Sequence, residues 1–207
     1  MSEQSVYKKL ISRIYGYGRG HVFSRNDLMD LGEAPAIRQS LSRLEKAGTI
    51  RRLARGLYEY PRFSDLLQAA APADPDQVAR AIARSYGWTI VPTGETALNA
   101  LGLSTQVPAA WEFFSDGPSK SVVWLGGTIH FKKRANRETS TLSPSTALVV
   151  QALKALGQGR ITPQTIETLS QKLDEREWGR ALKEAKSATE WVYSVMKKAA
   201  LLAEDRK

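Results

Sequence analysis

The chain has 207 residues, 42% of them hydrophobic and 25% charged, which is the balance of a folded protein with room for one large or two small domains. A formal charge of +9 favours polyanionic partners, meaning nucleic acid or an anionic membrane surface. The absence of cysteine excludes disulfides, zinc–thiolate sites and thiol nucleophiles, and the two histidines, His21 and His130, are too few for a histidine-rich metal site. The N-terminal Met-Ser-Glu-Gln lacks the basic-then-apolar pattern of a signal peptide, and no apolar run reaches the length of a membrane span, so a cytoplasmic protein without membrane association is expected.

In chain order, Val6, Leu10, Ile11 and Ile14 share one face of a predicted first helix, which Gly16, Gly18 and Gly20 should stop. A short extended piece follows, His21-Val22-Phe23. Ser24 then stands as an N-cap with Asp27 three residues on, the capping-box spacing for a second helix through Leu31. After the break at Gly32-Glu33-Ala34, Pro35 suits the first turn of a third helix, where its missing N–H is not needed. That helix carries Ile37, Leu41 and Leu44 at i, i+4 and i+7, and Gly48 is placed to end it. Thr49–Leu53 and Leu57–Tyr60 read as two strands joined at Ala54-Arg55-Gly56, with Gly56 supplying the positive φ that hairpin turns often need. Helix, short strand, helix, tight turn, helix, hairpin is the order of a winged helix-turn-helix.

The Pro/Ala/Asp-rich stretch from Ala69 to Asp76 reads as a linker. Asp74-Pro75-Asp76-Gln77 opens a helix that runs to about Tyr86 and ends at Gly87. Trp88–Val91 is strand-like, Gly94–Leu101 is a short helix, and Ala110 to Lys133 alternates like a β-meander with turns at Asp116-Gly117-Pro118 and Gly126-Gly127. Ser143-Pro144 and Thr162-Pro163 each open a helix, and a single long helix is expected from about Glu175 to Ala203, with Trp178, Leu182, Ala185, Val192, Val195, Ala199 and Leu202 on one face. The expected fold is therefore α+β: a winged helix-turn-helix over residues 1–68, a small α/β domain over 74–160 and a helical C-terminal tail over 161–207.

The third helix is where function is most legible. With its apolar residues inward, it offers Arg38, Gln39, Ser42, Arg43 and Lys46 outward. Arginine can bind guanine O6/N7 bidentately and glutamine can do the same for adenine, which is what a recognition helix in the major groove requires. The hairpin adds Arg51, Arg52 and Arg55, the last at the wing tip, suited to phosphates or a narrow minor groove. Residues 1–60 hold eleven Lys/Arg against six Asp/Glu, over half the excess charge in under a third of the chain. The plain alternative is a solvated helix face and hairpin, and winged helices also serve as protein-binding modules. Agreement of element order, turn and basic wing favours DNA.

Other signals carry less. Lys132, Lys133 and Arg134, with Arg137, form a second basic cluster, which reads equally as an auxiliary phosphate contact or as a solubilising strand end. Gly16-Tyr17-Gly18-Arg19-Gly20 looks like a phosphate loop, but it follows a helix and precedes a strand, the reverse of the context such a loop needs, so it reads as a helix stop. Asp27 reads as a capping partner, and Asp174, Glu175 and Glu177 as charges that suit a helix start. His21 reads as structural. Trp111, Phe113, Phe114 and Trp124 read as core rather than a base-stacking platform.

Residues Phe23 to Tyr60, including Gly56-Leu57-Tyr58 and Tyr60-Pro61, resemble the winged-helix domain of AbiEi-type antitoxins. The stretch Pro92-Thr93-Gly94-Glu95-Thr96-Ala97-Leu98-Asn99-Ala100-Leu101-Gly102-Leu103 is similar to the segment that opens their second domain. The resemblance spans roughly residues 5–155 and leaves out the tail from about Ile161. It implies a bacterial transcriptional repressor of its own operon, encoded beside a toxin whose effect it opposes without necessarily binding it.

The function expected is thus a non-enzymatic DNA-binding regulator, the autoregulating antitoxin of a toxin–antitoxin operon. It would bind double-stranded operator DNA at repeated half-sites, as a homodimer or paired monomers, with no cofactor and no metal. Two other classes remain open at this point. One is an interaction protein that neutralises a toxin by direct contact, which would show a large exposed apolar patch on the Trp178–Leu202 helix. The other is an RNA-directed enzyme, which would need a pocket of converging acids.

Overall fold

The computed structural model describes residues 3–66, 68–134 and 142–206, so Arg137 lies outside the described residues. The chain is α+β and divides into two units: the first runs to Trp88 and includes Val122–Thr128, and the second holds Thr89–Ser121 and the residues from Ile129 onward. This division does not coincide with the boundary expected at residues 68–74. Among the described residues no helix is long and apolar enough to cross a membrane.

The first unit opens with α1 (Glu3–Tyr17), β1 (Val22–Ser24), a 3₁₀ helix (Arg25–Leu31), α2 (Ala34–Lys46), β2 (Arg51–Ala54) and β3 (Leu57–Glu59). The three strands form an antiparallel sheet in the order β1-β3-β2. The helical faces read from the sequence are the buried ones: Val6, Leu10 and Ile14 of α1 and Ile37, Leu41 and Leu44 of α2 close one core with Phe23 and Leu28. Two details differ from expectation. Gly16 lies inside α1, which ends one residue later, and the turn belongs to Gly18 and Gly20 at φ 81° and 87°. The second helix is 3₁₀ rather than α, a run of seven residues opened by the Ser24–Asp27 capping box. Gly32, which ends it, is required by proximity: a Cβ there would lie 2.7 Å from Cγ2 of Val6.

Beyond β3 the stretch expected to be a linker is built into the unit. β4 (Phe63–Ser64) pairs with β5 (Ala69–Ala70), and α3 (Pro75–Tyr86) packs against β1. Asp74 caps α3 by accepting from the Asp76 N–H at 2.9 Å, Pro75 occupies the first turn, and Gly87 ends it at φ 69°. The Arg84 guanidinium donates to the carbonyl of Val22 at 2.9 Å and approaches Asp27 at 3.6 Å, which ties the C-terminal end of α3 to β1 and the 3₁₀ helix.

The second unit contains β6 (Ile90–Pro92), α4 (Gly94–Ala100), β7 (Trp111–Ser115), α5 (Pro144–Leu156), α6 (Pro163–Ser170), α7 (Glu175–Glu184) and α8 (Glu190–Glu204). Strands β8 (Lys120–Trp124) and β9 (Gly127–Lys133) complete a sheet in the order β6-β7-β9-β8. The expected meander is therefore corrected: β7 pairs in parallel with β9, placing Phe113 opposite Phe131 and Trp111 opposite Ile129, and β8 lies beyond β9. That register joins the buried Phe113, Ile129 and Phe131 on one face. Phe113 and Trp124 are buried as core residues, while Trp111 and Phe114 are half-buried.

The single long C-terminal helix is also corrected. The chain leaves α7 through a 3₁₀ turn (Ala185–Ser187), becomes extended at Ala188, and restarts after Thr189. A continuous helix would hold Trp178 and Met196 about 27 Å apart at 1.5 Å per residue. With the break, α7 packs against α8 and both residues enter one core with Leu98, Val149, Leu153 and Leu169. Residues 161–207 thus share the core of α4 and α5 and are not a separate tail. Glu184 at the end of α7 accepts from the Ser143 N–H at 2.8 Å and the Ser143 hydroxyl at 2.7 Å, satisfying the start of α5.

Candidate nucleic-acid interface

Burying Ile37, Ser40, Leu41 and Leu44 turns the opposite face of α2 to solvent, and Arg38, Gln39, Ser42, Arg43 and Lys46 are all exposed on it. The β2–β3 turn at Arg55-Gly56 needs Gly56 at φ 75°, and Arg55 is exposed beside it. The Arg25 N–H donates to the Gly56 carbonyl at 3.1 Å, so the first residue of the 3₁₀ helix is held against the hairpin turn. These three elements enclose a cleft of about 590 Å³ whose walls include Arg25, Arg38, Arg52, Arg55, Tyr58 and Tyr86. Among the described residues no carboxylate lines it and none of the four arginines forms an ion pair. Four uncompensated guanidinium groups around one concavity concentrate positive potential there.

Arg51 does not join them. Its Nε lies 3.0 Å from Oε2 of Glu59, its cross-strand partner, which is only 2% exposed, and a terminal nitrogen donates to the Ala71 carbonyl at 2.8 Å. The sequence grouped Arg51 with the phosphate contacts; the structure commits it to a buried ion pair. Strand alternation sends Arg52 the other way, exposed and toward the cleft.

The second basic cluster is partly neutralised where it stands. Lys132 pairs with Glu112 at 2.7 Å, Arg134 lies 4.7 Å over the Phe114 ring, and the Lys133 N–H is held by Ser119 Oγ. The glycine-rich turn after α1 is likewise occupied: Gly18 N–H donates to Tyr15, Gly20 N–H to Tyr60, and Arg19 sits over the Tyr60 ring at 4.8 Å. Asp27 acts as the capping partner, accepting from the Ser24 N–H at 2.7 Å. Burial pushes the His21 imidazole below its ordinary pKa and Arg84 adds to this, with Asp27 partly opposing them.

Sequence reasoning missed Arg25 and Tyr86. Arg25 was legible in principle, because the residue after an N-cap projects beside unsatisfied N–H groups. Nothing local marked Tyr86, since its place in the cleft depends on α3 docking to β1, a tertiary event.

The sequence matches one described family over residues 9–180. The chain belongs to DUF6088, a family of unknown function. The DUF6088 match begins within α1 and ends in α7, so every residue named for the cleft lies inside it and α8 lies outside. No curated protein matches the sequence.

Proposed function

We propose that this DUF6088 protein is a winged-helix DNA-binding regulator that sets α2 in the major groove and uses the β2–β3 hairpin as its wing. The observation that carries the reading is the cleft where Arg25, Arg38, Arg52 and Arg55 converge without a carboxylate, next to the exposed polar face of α2. Arg38, Gln39, Ser42 and Arg43 read base edges; Lys46, Arg52 and Arg55 hold phosphates. No cofactor enters this reading, and the protein works in the cytoplasm. The resemblance to AbiEi-type antitoxins extends it to an autoregulating antitoxin, with the second unit opposing the toxin. Direct capture of a toxin by an apolar helix face draws little support, because Trp178, Val192, Val195 and Ala199 are buried in the second unit's own core and, of the face named, only Leu202 is exposed, beside Leu201.

Footprinting on the promoter upstream of its own reading frame tests the proposal. Log K for binding should fall with log salt by about 0.9 per phosphate contact. Arg38→Ala or Arg43→Ala should cost about 1–3 kcal/mol and relax sequence preference, while Arg55→Ala should weaken all duplexes together. A salt-independent titration, or wild-type binding by all three variants, sinks the reading.

A further inference from the structure

The cleft has a wall that a winged helix-turn-helix alone does not supply. Ser85 and Tyr86, at the C-terminal end of α3, line it beside Arg25 and Asn26. This end of the helix is fixed in place. Besides the Arg84 bond to Val22, Asn26 Nδ2 donates to the Ser85 carbonyl at 3.4 Å. The Ser85 hydroxyl is taken up within its own helix, donating to Ile82 at 2.7 Å. Tyr86 is the other α3 side chain that lines the cleft. It is half exposed, and its ring stacks on Trp88 with centroids 4.5 Å apart and planes 18° apart.

Resting on the reading of the cleft as a DNA site, we propose that Tyr86 is part of the interface and meets the sugar–phosphate backbone of duplex DNA beside Arg25. A phenol can donate one hydrogen bond to a phosphate oxygen while its ring covers a deoxyribose, and both contacts are independent of sequence. Stacking on Trp88 already restricts the ring, so little rotamer freedom is lost when DNA arrives. Base reading stays with α2; the end of α3 extends the footprint along the backbone and fixes the angle at which α2 enters the groove.

The test is equilibrium binding of the full chain to its promoter duplex, to unrelated duplexes and to a single strand of the promoter sequence, over a series of salt concentrations. Tyr86→Ala should weaken every duplex about tenfold, the loss of one hydrogen bond to a charged acceptor, and leave the salt slope unchanged because no charge is removed. Tyr86→Phe should lose part of that affinity, separating the hydroxyl from the ring. Arg25→Ala should instead lower the salt slope by about one contact. Unchanged unfolding midpoints establish that the variants are folded. Wild-type duplex binding by both Tyr86 variants, while Arg38→Ala and Arg55→Ala bind poorly, overturns this inference and leaves the DNA reading standing. A changed sequence preference in Tyr86→Ala assigns the residue to bases and overturns it too. Tighter binding of the single strand, lost in Tyr86→Ala, replaces it with base stacking. If the parent itself binds no duplex, the reading of the cleft fails as a whole.

Discussion

Arg51 and Arg52 are neighbours on β2, and the pleat sends their side chains to opposite faces. One is tied to a carboxylate that is 2% exposed, and the other borders an arginine-rich cleft. Removing one member of a buried ion pair strands the other without solvent, so Arg51→Ala should destabilise the fold by about 3 kcal/mol. The lower end of the usual range applies because the Arg51 side chain is 24% exposed. Arg52→Ala should leave stability within about 0.5 kcal/mol, as for surface substitutions, and reduce DNA affinity. Urea unfolding beside a binding titration separates the two; equal destabilisation would contradict the roles assigned. The sequence marks both arginines as contacts because charge and hairpin position are local properties. The face on which each side chain emerges depends on the register with β3, and that register is fixed by pairing.

Elements joined by side chains carry the pH dependence. Glu184 of α7 is partly desolvated, which raises its pKa, but hydrogen bonds from Thr146, Ser143 and the Ser143 backbone outweigh that and hold it below the ordinary carboxylate value. A depressed folded-state pKa gives stability that is present above the unfolded value and is lost as pH falls through the folded one. Glu184→Gln should therefore flatten the acid limb of stability against pH, measured by urea midpoints from neutral pH downward. A limb as steep as the parent's would remove Glu184 from the account. His21 has the same sign in a higher window, opening just below the ordinary histidine value of about 6.5. The helices themselves were largely legible: the apolar spacings of α1 and α2 and the Asp74-Pro75 start of α3 each act over a few residues. The break before Thr189 was not, since Ser187-Ala188-Thr189 is compatible with a continuing helix and only the shared core of α7 and α8 demands a fold-back.

For the chain as a whole, the consequential revision is where the first unit ends. A Pro/Ala/Asp-rich stretch reads as a boundary by composition, yet the α3 that follows it buries Val78, Ala79, Ala81, Ile82 and Ala83 and docks on β1. A fragment ending at Pro72 leaves that strand's neighbour missing, whereas one ending at Trp88 keeps it. The shorter fragment should unfold at lower urea concentration and protect its β1 amides less in hydrogen exchange. Equal stability of the two would show that α3 contributes nothing to the first unit. The same revision explains why the site was only partly legible: α2 and the hairpin announce their charges locally, while Tyr86 reaches the cleft through long-range packing.

The order β6-β7-β9-β8 also bears on how the protein is born. At about 5–20 residues per second, roughly a second passes on the ribosome between the appearance of Trp124 and that of Lys133. Hairpins form in about 1–10 μs, so β7 and β8, joined by the turn-prone Asp116-Gly117-Pro118, have ample time to pair with each other first. The native sheet inserts β9 between them. A nascent hairpin of that kind must open to admit its own successor. Synthesis thus leaves time for a competitor written into the local sequence, and it does so after the arginine-bearing first unit has largely emerged.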